Sequence, residues 1–98
     1  MIWIKKHETD EGHLLLAACD EELLGQTLED DEFQISCPES FFKGELVDQE
    51  SVMRLLQQCM HANLVGKDIV AIAKDMDLVK DFKIIQDVPY AYVVKVAE

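Results

Sequence analysis

Apolar positions follow two rhythms along this chain, a helical one in the middle and strand-like ones on either side. Val52, Leu55, Leu56, Cys59 and Met60 recur three and four residues apart, which predicts an amphipathic helix. Its start is well marked: Asp48 can cap it, Glu50 sits in the first turn, and Val47 can staple against Val52. Val65, Ile69, Ile72, Ala73 and Met76 form a second stripe, with Lys67, Asp68, Lys74 and Asp75 facing water. Residues 47–79 therefore read as two helices joined by Asn63-Leu64-Val65-Gly66.

The flanks carry shorter runs. Ile2-Trp3-Ile4 is rich in strand formers, Thr9-Asp10-Glu11-Gly12 is a turn, and Leu14-Leu15-Leu16-Ala17-Ala18 is nearly continuous apolar sequence. These predict a hairpin whose second strand is central and buried on both faces. Asp20 to Gly25 reads as one helical turn capped by Asp20. Phe33, Ile35 and Cys37 alternate with Gln34 and Ser36, and Pro38 ends that strand. Phe41 and Phe42 are expected to dock a short turn onto the core; an exposed aromatic platform is the alternative. Residues 82–85 and 91–96 are the last strands, with Asp87-Val88-Pro89-Tyr90 as the turn between them. The expected fold is α+β: a single domain over 1–98, with a mainly antiparallel or mixed sheet of about five strands and both helices on one face.

Charge changes this picture more than composition does. The net charge is −11, and residues 1–49 hold nearly all of it, with 13 acids against 3 bases. Such a surface repels nucleic-acid phosphates at long range, so DNA is not an expected partner. No apolar run approaches the ~20 residues of a membrane span, and the amino terminus lacks the pattern of a secretory signal, so cytoplasm is the expected location. Cys19, Cys37 and Cys59 are too widely spaced for a zinc ribbon or a Cys-x-x-Cys redox motif. Glu29-Asp30-Asp31-Glu32 lacks calcium-loop spacing and reads as a solvated loop. Neither a metal nor a cofactor is expected.

Candidate chemistry is sparse. His7, His13 and His61 lie in no local motif, and no glycine-rich phosphate loop occurs. Cys19 stands where a strand meets a helical turn, a setting that can lower a thiol pKa, but Asp20, Glu21 and Glu22 oppose this. Lys67, Lys74 and Lys83, in the nearly neutral second half, make the candidate nucleic-acid face.

Four segments in order, Ala18-Cys19-Asp20-Glu21-Glu22-Leu23-Leu24-Gly25, Phe41-Phe42-Lys43-Gly44-Glu45-Leu46-Val47-Asp48, Ala62-Asn63-Leu64-Val65-Gly66 and Val88-Pro89-Tyr90-Ala91, carry a resemblance. Together they are similar to an archaeal family catalogued as domain of unknown function 424, over essentially the whole chain. The resemblance implies a small stand-alone protein, with a hint of association with RNA or translation and no catalytic residue to carry over. Tyr90 stands where relatives often have histidine, and Asp77 and Asp87 where glycine is usual. Cys19, Asp20, Glu45, Asn63 and Tyr90 are the polar or reactive groups beside the motif ends, and form a candidate pocket if they converge. The expected function is a small binding or adaptor module for a protein or RNA partner. The alternative is a small enzyme or ligand sensor using Cys19 with Asp20 or Glu45.

Overall fold

A computed structural model describes residues 1–95. Eight strands form two sheets. In chain order the strands are β1 (Ile2–Glu8), β2 (Leu14–Asp20), β3 (Thr27–Glu29), β4 (Gln34–Ser36), β5 (Glu45–Val47), β6 (His61–Val65), β7 (Lys83–Ile85) and β8 (Val88–Val94). The main sheet runs β5-β1-β2-β6-β8-β7, and β3 and β4 pair with each other as a separate hairpin. All main-sheet pairs are antiparallel except β2 with β6. Three helices complete the fold: α1 (Glu39–Phe42), α2 (Gln49–Gln58) and α3 (Lys67–Asp75).

Side-chain alternation splits the sheet into two apolar layers. Ile2, Ile4, Leu16, Ala18, Ala62, Leu64, Ala91 and Val93 point to one side, where Val52 and Leu56 of α2 and Ile69 and Ala73 of α3 cover them. Ala17, Cys19 and Val65 point to the other side, under Phe42 of α1, Cys37, and the half-buried Ile35 of β4. Both long helices thus lie on one face, as their stripes predict. The second face, with the β3–β4 hairpin and α1 over it, is the one that matters below.

Three expectations need correction. The segment expected to join two helices is β6. Ala62 and Leu64 face the helices while Val65 faces the hairpin, a two-residue period that pays off only between two strands. Strands β6 and β5 are the two unexpected strands of the six in the main sheet, while the expected strand at 33–37 lies outside that sheet and pairs with β3. Second, the turn between the last strands is Gln86-Asp87, and Val88-Pro89-Tyr90 belongs to β8. Pro89 is tolerated there because it faces Gly66 at the ladder's end: the Gly66 N–H donates to the Pro89 carbonyl, while the Gly66 carbonyl accepts from Val70 in the first turn of α3. No donor is missed. Val96, the end of the expected last strand, lies outside the described residues.

The third correction concerns Asp20. The expected turn exists as a 3-10 turn (Glu21–Leu23), but the Asp20 side chain does not cap it. Its two carboxylate oxygens instead accept from the backbone N–H groups of Asp68 and Ile69, each at 2.9 Å, and so cap α3 from a different strand. Helix α2 starts as expected, with Asp48 accepting from Ser51 N–H at 2.9 Å. Its last carbonyls, of Leu56 and Gln57, accept from Lys95 Nζ at 2.6 and 3.0 Å.

Candidate functional site: an aromatic groove

Strand register gives the hairpin-side face as rows. Trp3, Cys19, Val65, Tyr90 and Lys83 form one row; Lys5, Ala17, Asn63 and Tyr92 form the next; His7, Leu15, His61 and Val94 form the third. The hairpin and α1 bury the β2 end of these rows and leave the β8 end open. Tyr92 and Val94 are each 67% exposed.

Between β4 and β8 the open part becomes two adjoining concavities. One, of about 310 Å³, lies between Pro38 and Phe41 on one side and Asn63, Tyr90 and Tyr92 on the other. The second, of about 460 Å³, is lined by Phe33, Ile35, Phe82, Lys83, Tyr90 and Tyr92. Gln34, Ile35, Tyr90, Ala91 and Tyr92 belong to both, so they form one groove. Six of the chain's seven Phe, Trp and Tyr residues line it; only Trp3 does not.

The aromatic walls are held in place locally. The His7 ring stacks on Phe41 with centroids 4.5 Å apart, and its Nε2 makes a 2.9 Å hydrogen bond with the Phe41 carbonyl. Phe42 meets Phe41 edge to face at 5.2 Å and anchors α1 in the buried layer. Phe33, 52% exposed, has Lys83 Nζ above its ring at 5.8 Å. Gln86 Nε2 donates to the Glu29 carbonyl at 2.8 Å, tying the β7–β8 turn to the hairpin. Among the described residues strand β4 has one ladder, with β3, so its other edge has no strand partner there, and its residues line the groove.

The five polar motif residues fall in different places. Asn63 and Tyr90 line the groove, and Cys19 is buried beneath it. Asp20 is on the helix side, 1% exposed, capping α3. Glu45 is also on the helix side but at the far edge, beside Ser51 and Arg54 of α2. The three lysines separate too. Lys67 and Lys74 are exposed on α3, while Lys83 shares the hairpin-side row of Tyr90.

Burial is the largest influence on Asp20 and raises its carboxyl pKa; the Asp68 and Glu22 charges add to this, against the two backbone bonds. Cys59 is also pushed up by burial, in the helix-side layer. Among the described residues, no group of three or more His, Cys, Asp and Glu side chains is arranged to hold a metal ion. No helix among the described residues is long and apolar enough to cross a membrane.

Sequence reading missed Phe33, Phe82 and Tyr92 as a set. The signal was present in β8, where Val88, Tyr90, Tyr92 and Val94 alternate with buried Ala91 and Val93. What sequence lacks is the hairpin crossing that brings Phe33 to Phe82.

A family model described as "Protein of unknown function (DUF424)" matches residues 7–96. The chain belongs to the DUF424 family. A crystal structure of an uncharacterized conserved protein from Methanopyrus kandleri superposes with a TM-score of 0.75 at 20% identity, covering 99% of this chain and 95% of that one. The likeness extends the fold across essentially the whole of this DUF424 protein. No curated protein matches it.

Proposed function

We propose that this DUF424 protein is a binding module whose groove takes an extended stretch of a partner polypeptide. One observation carries the reading: six aromatic side chains, from α1, β8 and the residues just before β4 and β7, line a single groove beside a strand edge that has no partner among the described residues. An extended chain added to β4 would hydrogen-bond along that edge and seat alternate side chains among Phe33, Phe41, Tyr92 and Phe82. The groove's polar groups suit orientation rather than chemistry. Asn63, Gln34 and Ser36 offer amide and hydroxyl groups, and no base stands beside a nucleophile.

Base stacking by RNA is the competing use of such aromatics. Net charge favours the polypeptide. Lys83 is the one cation lining the groove, Asp81 lines it too, and the chain as a whole carries −11. A photoreactive phenylalanine analogue placed at Tyr92, activated in the native cells, distinguishes the two. The expected adduct is protease-sensitive and RNase-resistant, and is lost when Phe33→Ala and Phe82→Ala are added. An RNase-sensitive adduct, weakened by charge reversal at Lys83 and by salt, would replace this reading with the RNA one. An adduct no stronger than from a position on exposed α3 would remove the groove from consideration.

A further inference from the structure

The β4 edge beside the groove has a defined reach. The Phe33 carbonyl accepts from Asp30 N–H, the Cys37 N–H donates to the Gln26 carbonyl, and the Cys37 carbonyl accepts from Gly25 N–H. Ile35 stands between them, opposite Leu28. Bonded residues alternate along an antiparallel strand, so 33, 35 and 37 turn their backbone groups to β3. Gln34 and Ser36 turn theirs to the open edge. Pro38 closes that edge, having no N–H and a carbonyl already shared by the amides of Phe41 and Phe42. The N–H and C=O of Gln34 and Ser36 together suit an added strand of about five residues. Such a strand puts every second side chain on the Ile35 side, toward the main sheet. Three inward side chains match the groove. One falls in the concavity of about 460 Å³ between Phe33 and Phe82, one over Tyr90 and Tyr92, and one in the concavity of about 310 Å³ beside Phe41. The side chains between them, opposite the exposed Gln34 and Ser36, meet water.

Charge distinguishes the two ends. At the Phe33 end stand Glu29, Asp30, Asp31 and Glu32 of the hairpin tip, Asp81 on the groove lining, and Asp87 in the turn that Gln86 ties to Glu29. The lysines there are fewer: Lys83 over Phe33, Lys74 over Phe82, and Lys80 next to Asp81. The tip is a built turn, with Asp30 Oδ1 accepting from the N–H groups of Glu32 and Phe33, each at 2.8 Å. Among the described residues none of these carboxylates makes a salt bridge. At the Phe41 end, by contrast, Lys5 Nζ donates to the Ser40 carbonyl and Lys43 lies over Trp3. We infer that the occupant of the groove is an extended segment of a basic protein, apolar at three alternate positions and carrying Lys or Arg where it leaves over the hairpin tip. The inference rests on the groove being a polypeptide site and adds the partner's chemistry. A second copy of this chain does not fit, because it too carries −11 and would bring acids to acids. A basic segment breaks no ion pair at the tip, and the free carboxylates steer its approach.

The test pans a random-peptide phage library on the full-length protein, with the Phe33→Ala/Phe82→Ala double variant as the counter-selection. The expected peptides share alternate apolar residues and carry Lys or Arg at one constant end. A synthetic copy of the leading peptide should bind the Asp31→Lys/Glu32→Lys protein about tenfold more weakly than wild type, with the loss in the association rate and shrinking as salt is raised. Both of those side chains are exposed, and Asp30 holds the turn, so the variant keeps its fold. Groove-dependent peptides without a basic end, or with equal affinity for the charge-reversed protein, would overturn the inference and leave the polypeptide reading standing. No groove-dependent peptide at all would overturn both.

Discussion

Asp20 spends a buried charge to hold α3 against the end of β6, and its neighbour Gly66 has no alternative but to be glycine. The Gly66 φ is 129°, and a Cβ there would collide with the Asp20 carboxylate carbon and both of its oxygens. Gly66→Ala is expected to cost at least about 3 kcal/mol, from backbone strain and overpacking together. Asp20→Ala leaves two α3 amides without partners, at roughly 1–2 kcal/mol. Because the second change removes the atoms that the first one hits, the pair should be non-additive. In urea melts, Gly66→Ala in the Asp20→Ala background should cost about 1 kcal/mol less than in wild type. Additive costs would mean that the collision is relieved some other way.

The raised pKa of Asp20 also predicts a pH dependence, and its sign follows from linkage. A carboxyl with a higher pKa folded than unfolded binds its proton more tightly when folded. Its contribution is therefore whole below about pH 4, the ordinary aspartate range, and is lost as pH rises through the folded value. Asp20→Asn lacks that slope. The stability of wild type minus Asp20→Asn should fall as pH rises from 3.5 to neutrality; a rise would refute the assignment. Asp48 and Asp30 act the other way, since backbone amides hold their pKa values low and their contribution is lost as pH falls. Both proteins share that slope, so it cancels in the difference.

At the scale of elements, the β1–β2 hairpin, β4 and the two carboxy-terminal strands were legible, and so was α2 down to its cap, whereas the three-residue strands β3 and β5 were not. Nor was β6. Its Val65 fits the helical spacing of Ile69 and Ile72, and its partner β2 lies roughly half the chain away, where no local pattern can reveal it. Asp20 failed for the same reason, its amides lying far along the chain. Of the groove, only Asn63, Tyr90, Lys83 and the Phe41–Phe42 pair were singled out beforehand. The rest needed the hairpin's placement.

Asp77 and Asp87, where the family resemblance implies glycine, have a physical explanation. Asp77 and Asp87 both have φ of 64°. At the end of α3, Asp77 N–H donates to the Lys74 carbonyl and Leu78 N–H to that of Ala73, the double bond of a Schellman motif with Asp77 in the left-handed position. Asp87 is the second residue of the two-residue β7–β8 turn, where Gln86 also has positive φ. Asp77→Gly and Asp87→Gly should each stabilise the fold by about 0.5–1 kcal/mol, because the left-handed strain of an L residue exceeds glycine's entropy cost. The check is a rise in denaturation midpoint with an unchanged m-value; a fall at either site would contradict the explanation.

For the whole molecule, the parallel pairing of β2 with β6 governs the route by which the chain can reach its native state. The β1–β2 hairpin closes a short loop and can form within microseconds. The central ladder, from Leu15 opposite His61 to Cys19 opposite Val65, must wait for a loop holding the small hairpin, α1, β5 and α2 to close. That closure is the entropic barrier, so the transition state should already contain the β2–β6 seam while the outer β7 strand is still loose. Leu64→Ala is then expected to slow refolding, and Ile85→Ala to act chiefly by speeding unfolding, in stopped-flow chevrons of the two variants. The reverse assignment would place the nucleus at the carboxy-terminal hairpin. With the seam as nucleus, the groove is among the last surfaces to form: its β8 wall needs β6 in place first, and its β4 wall needs the β2–β6 floor beneath it.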